Sequence, residues 1–193
     1  MTIYYRLGAN MYVNVTNECS CSCVFCIRNI SDGVGSADSL WLPREPGLHE
    51  MKDAFDNEDL SGVSEIVFCG YGEPMERAAD VLALCEHMRQ HTKIPLRLNT
   101  NGLARLIDPD FHMPSLKILD RISISLNAHN AAEYTRLSRP RFGEAAFDAM
   151  LDFARQAKAH TAVTLTVVDT PDGPNIPACQ SLADSLGIEL RVR

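Results

Sequence analysis

The chain has 193 residues, 46% hydrophobic and 22% charged. A chain of that length buries about 70% of its unfolded surface in one core, and the composition excludes a disordered chain, a collagen or a simple coiled coil. Eighteen basic residues against 25 acidic ones leave a net charge of −7, which does not suit a general polyanion binder and gives nucleic acid no support. No run approaches the roughly 18 apolar residues of a membrane helix. Met1–Arg6 lacks the basic segment and apolar run of a secretory signal, so a cytoplasmic chain with no membrane partner is expected.

Residues 3–7 and 11–15 read as hairpin strands around the turn residues Gly8, Ala9 and Asn10. The second strand runs into Cys19, Cys21, Cys23 and Cys26, four of the seven cysteines. In a reducing compartment such crowding reads as metal binding. Residues 31–46 form the longest irregular stretch, the length at which loops often act as lids. A weak helix covers 49–55. A strand at 65–69 enters Gly70-Tyr71-Gly72-Glu73-Pro74, and Ala78, Val81, Leu82, Cys85 and Met88 then share a helical face. A strand at 96–99 leads to Asn101 and a short helix after Gly102. A strand at 122–126 leads to Asn127 and a helix at 131–137. Phe147, Met150, Leu151, Ala154 and Ala157 mark the next helix, before a strand at 163–168. Cys179, Leu182, Ala183 and Leu186 mark the last helix, with Pro177 near its start and Gly187 past its end. A strand at 189–192 closes the series. Leaving out the first hairpin strand, six strands alternate with helical sequence. That order predicts a single α/β domain over 1–193, a partial (β/α)6 TIM-type barrel of parallel strands with an N-terminal β-hairpin strand.

Cys19, Cys23 and Cys26 form a C-x3-C-x2-C set at the end of the first barrel strand, where such folds keep their chemistry. Three thiolates on one tight loop can hold three irons of a [4Fe–4S] cube and leave the fourth open. The alternative is a zinc site with Cys21 as fourth ligand, although zinc ligands usually come as two separated pairs. Glycines 70 and 72 allow a ligand to approach the backbone, and Glu73 can accept from an ammonium group. Period-two alternation groups Asn99 with Asn101, and Ser123 with Ser125 and Asn127. Buried polar groups there need partners, which ligand hydroxyl and carboxylate groups would supply. The alternative is a plain turn at Asn101-Gly102 and a satisfied core hydroxyl at Ser125. Val167 and Val168 suit either an adenine wall or a buried strand. Cys85 and Cys179 lie on apolar helix faces and read as core thiols.

The cysteine spacing, with Phe25 before the last cysteine, resembles the radical S-adenosylmethionine (SAM) superfamily. Gly70-Tyr71-Gly72-Glu73-Pro74 is similar to its Gly-Gly-Glu-Pro motif, with Tyr71 replacing the second glycine. The resemblance implies a [4Fe–4S] cluster on Cys19, Cys23 and Cys26, and SAM chelated at the open iron. It also implies SAM contacts from Phe25, residues 70–74, Asn99, Asn101, Ser125 and Asn127, and an oxidoreductase-type or modifying activity. Along nearly the whole chain, including Leu40-Trp41-Leu42, Arg139-Pro140 and Phe142-Gly143, the sequence resembles the TatD-associated radical SAM branch. The superfamily resemblance, through its one-electron cleavage of SAM, implies an electron donor of flavodoxin or ferredoxin type. The branch name suggests a functional link to a TatD-type nuclease and names no substrate, while an open mouth with few residues to cover it would suit a macromolecular substrate. The competing readings are a zinc-thiolate module that docks a partner, and a SAM- and cluster-binding sensor without turnover. Near the expected mouth stand Arg28, Trp41, Arg44, Arg136, Arg139, Arg141 and His129, the last a candidate proton carrier.

Overall fold

The computed structural model describes residues 1–193. Seven strands form one sheet in sequential order: β1 (Tyr4–Leu7), β2 (Asn10–Val13), β3 (Glu65–Phe68), β4 (Leu96–Thr100), β5 (Arg121–Ser125), β6 (Ala162–Val167) and β7 (Glu189–Val192). The β1–β2 pair is antiparallel, with Tyr4 opposite Val13, and every later pair is parallel. No pairing joins β7 to β1, so the barrel stays open. The predicted hairpin strand and six parallel strands are all present.

The helices are α1 (Leu48–Asp56), α2 (Ala78–His91), α3 (Ala104–Ile107), α4 (Ala131–Ser138), α5 (Ala145–Ala157) and α6 (Ile176–Leu186). Asn175 caps α6 by accepting from the Ala178 N–H at 3.0 Å, and Gly187 ends it at φ 59°, the left-handed stop that glycine takes without strain. Short 3-10 turns at Ile27–Asn29, Pro74–Arg77 and Met113–Ile118 lack a sequence-level expectation. No helix is long and apolar enough to cross a membrane.

Each strand lies beside its predecessor, and right-handed crossovers that always step the same way put every helix on one face. Met11, Val13, Ile66, Phe68, Leu98, Ile122, Ile124 and Leu165 point to that face and join one core of 39 buried residues with the helices. The intervening residues point to the other face, away from the helices. There β4 to β7 are polar: Arg97 and Asn99, Ser123 and Ser125, Thr164 and Thr166, Glu189 and Arg191. A parallel sheet covered on both faces would read as continuous apolar runs, so this alternation marks an interior that is not packed with hydrocarbon.

The 31–46 stretch is fastened. The Asn14 side-chain amide donates to the Leu40 carbonyl at 2.8 Å, and that of Asn17 to the Leu42 carbonyl at 2.7 Å. The Tyr71 hydroxyl donates to the Ser31 carbonyl, and Trp41 packs edge-on against Tyr71 at 5.1 Å. Tyr71 thus clamps this segment with Tyr5 and Leu40, which explains a tyrosine within a glycine-rich turn.

Candidate active site

The loop after β2 carries Cys19, Cys23 and Cys26, and the turn after β3 lies against it. The Gly72 N–H donates to the Thr16 carbonyl at 3.0 Å, and the Glu73 N–H to the Glu18 carbonyl at 2.7 Å. A Cβ on Gly72 would stand 2.4 Å from the Thr16 oxygen and 2.5 Å from the Glu18 oxygen; one on Gly70 would stand 1.9 Å from Asn14 Oδ1. Both glycines therefore serve close packing of the two loops, a reason different from the ligand approach read from the sequence.

The residues that the resemblance assigns to the cluster and SAM line one cavity of about 490 Å³: Cys19, Cys23, Cys26, Phe25, Gly70, Tyr71, Gly72, Glu73, Pro74, Asn99, Asn101, Ser125 and Asn127; Ser123, grouped with the last two by alternation, lines a second cavity instead. Val168 also lines the first cavity, whereas Val167 turns into the core. Thr100, Tyr134, Ser138, Thr166 and Arg193, which the sequence does not single out, line it too, and Cys21, Ile27, Ile30 and Cys69 complete the wall. Of these, Thr166 carried a usable signal, its period-two relation to Thr164. None of the candidate mouth arginines lines the cavity, nor does Trp41 or His129. Arg44 pairs with Glu50, Arg141 with Glu76, and His129 Nδ1 stands 2.7 Å from Glu133.

Glu73 is the buried keystone. Its Oε1 accepts from the Met75 N–H at 3.0 Å and the Thr100 hydroxyl at 2.7 Å; its Oε2 accepts from the Asn101 N–H at 2.7 Å. A carboxylate has about four acceptor sites, so one on Oε2 remains open. Asn101 is committed to structure: its amide donates to Ser20 Oγ at 2.8 Å, and its oxygen accepts from the Leu103 N–H. Asn127 sits at φ 55°, a left-handed conformation that asparagine tolerates, and its amide reaches Ser138 Oγ at 3.3 Å. The Ser125 hydroxyl and the Asn127 side-chain oxygen are left free to meet a ligand.

Burial pushes the Glu73 carboxyl up to about 7 from 4.5, against the pull of its three donors. The folded chain then binds more protons than the unfolded one between those values. The group's contribution to stability is full below about 4.5 and is lost as pH rises through about 7. The stability of the apo chain relative to Glu73→Gln should fall by on the order of 2 kcal/mol across that window. Urea denaturation of both proteins at pH 5 and pH 8 checks it, and a pH-independent difference would refute it.

No protein-family model matches the chain. Its sequence is similar to the GTP 3′,8-cyclase of Corynebacterium glutamicum strain R, 31% identical over 144 residues, covering 69% of this chain and 35% of the cyclase. The GTP 3′,8-cyclase of Paenarthrobacter nicotinovorans is 28% identical over 147 residues, covering 72% and 37%. The chain thus spans little more than a third of the length of these curated relatives. Among solved structures, TYW1 with a lysine-pyruvate adduct bound aligns at TM-score 0.64 and 13% identity, over 96% of this chain and 65% of that one. Native anSMEcpe with bound AdoMet aligns at 0.60 and 17%, over 94% and 50%. At such identities these two show the shared partial-barrel fold. Together, the relationships support the radical SAM superfamily.

The donor set fits the superfamily's iron–sulfur cluster. Burial pushes the Cys19 thiol up to about 12, so a thiolate there needs a neighbouring cation, and metal coordination supplies one. A hydrogen bond from the Cys21 thiol holds Cys23 below the usual range against its burial. The Cys21 N–H donates to Cys19 Sγ at 3.4 Å, the kind of bond that tunes cluster sulfurs. Structural zinc sites are closed by four ligands, whereas these cysteines open onto a cavity with polar strand ends on its far wall.

Proposed function

We propose that this chain is a radical SAM enzyme. Cys19, Cys23 and Cys26 would hold a [4Fe–4S] cluster, and the strand ends would hold SAM. When bound and reduced, the cluster supplies one electron that cleaves SAM to methionine and a 5′-deoxyadenosyl radical, which takes a hydrogen atom from the substrate. The open acceptor site on Glu73 receives the methionyl ammonium. The Ser125 hydroxyl and the Asn127 side chain orient polar groups of SAM, while Asn99 faces the ribose. Phe25, Ile27 and Val168 form apolar walls that exclude water and flank the adenine.

One observation carries this reading: residues from four separate segments, expected for one ligand, line one cavity. Resemblance over nearly the whole chain supports the TatD-associated branch, a flavodoxin- or ferredoxin-type electron donor, and a functional link to a TatD-type nuclease. Four cysteines at one site suit a cytoplasmic, reducing compartment. The test is anaerobic incubation of the reconstituted protein with SAM and a strong reductant. Formation of 5′-deoxyadenosine is expected. SAM left intact by protein with a verified cluster would refute turnover and favour a sensor.

A further inference from the structure

Beneath the cysteine cavity, toward the start of the strands, lies a second cavity of about 600 Å³ on the face away from the helices. The two share Asn99 and Arg193. Barrels of this type normally fill that interior with layers of Val, Ile and Leu. Here Tyr12 is the single hydrophobic lining residue. Four guanidinium groups, Arg97, Arg121, Arg191 and Arg193, face two carboxylates, Glu65 and Glu189. The side chains thus carry an excess of two positive charges inside a chain of net charge −7.

Five of these six charges fall into two sets, and the sixth, Glu189, pairs with neither. Arg97 donates to Glu65 at 2.8 Å and to Asn99 at 2.9 Å, and Arg121 lies 3.8 Å from Glu65. Arg97 is thus compensated, whereas Arg121 makes no hydrogen bond to Glu65 and keeps its donors free. Arg191 and Arg193 have no hydrogen-bonding or ion-pairing partner for their side chains. Arg191 is in register with Thr166, which is in register with Ser125; both of those line the upper cavity, so Arg191, like the shared Arg193, stands where the lower cavity meets the upper one. Guanidinium groups match carboxylate and phosphate oxygens two at a time, and the volume suits a metabolite.

We propose that this lower cavity is the substrate site, and that the substrate is a small polar metabolite whose phosphate or clustered carboxylates sit on Arg121, Arg191 and Arg193. Calling the ligand a substrate rests on the radical SAM reading; anion binding does not.

The test is calorimetric titration of the cluster-loaded, SAM-bound chain with inorganic pyrophosphate and, separately, with citrate at low salt. Saturable binding of at least one is expected, weakening at least tenfold in Arg191→Gln and in Arg121→Gln and unchanged in Arg155→Gln on the outer helix α5. Both cavity arginines are exposed, and thermal melting verifies that the variants fold. Pyrophosphate alone would name a phosphorylated substrate and citrate alone a polycarboxylate. Binding of both would support the shared chemistry. Saturation by neither, or binding indifferent to the two cavity substitutions, would overturn the inference. Anion binding without SAM cleavage would refute the proposed enzyme and keep the anion site; cleavage without anion binding would do the reverse.

Discussion

Cys23→Ala yields a protein that retains no stable [4Fe–4S] cluster after reconstitution and forms no detectable 5′-deoxyadenosine. Cys19→Ala and Cys26→Ala behave alike, because each removes one of only three thiolates. Cys21→Ala is the discriminating control. Its side chain is buried and packed into the hydrophobic core, so truncation should cost roughly 1 kcal/mol of stability while the iron content stays that of the native protein. Iron and sulfide analysis reads the outcome. If all four substitutions were equally damaging, Cys21 would be a ligand and the zinc-thiolate reading would gain.

Gly72→Ala should be strongly damaging. The added carbon meets two backbone carbonyls at 2.4 and 2.5 Å, which cannot rotate away as a side chain would. Relief requires parting the two loops, with loss of the hydrogen bonds from the Gly72 and Glu73 N–H groups. Overpacking costs roughly 1–3 kcal/mol, and each broken bond roughly 1 more. Chemical denaturation should show that loss, with faster release of iron from the reconstituted protein. Gly47→Ala is the milder reference: its Cβ would meet nothing within 4 Å, and the change touches only the N-cap of α1, at a cost under about 1 kcal/mol. Equal midpoints for the two variants would contradict the packing role.

The parts of this site legible in the sequence are those carried by neighbours in the chain. Cysteine spacing, the turn at residues 70–74 and the polar strand ends each sit within a few residues, and sequential parallel strands bring their ends together. What depends on distant partners was not legible. Glu73 is held by Thr100 and Asn101, which only the β3–β4 pairing brings near. The packing reason for Gly70 and Gly72 lies in the β2 loop. The arginines that reach the interior are not the loop arginines near the mouth but residues of β4, β5 and β7 and Arg193 just beyond. Their signal was present as polar alternation through Arg97-Leu98-Asn99 and Glu189-Leu190-Arg191-Val192-Arg193. Read simply as strands, these segments do not disclose a charged interior.

The most direct measurement of the central claim is electron paramagnetic resonance of the anaerobically reconstituted, reduced protein with and without SAM. A cube held by three cysteines gives a [4Fe–4S]⁺ signal whose shape changes when SAM reaches the fourth iron. A signal unmoved by saturating SAM, or a colourless protein holding stoichiometric zinc on its cysteines, would contradict it.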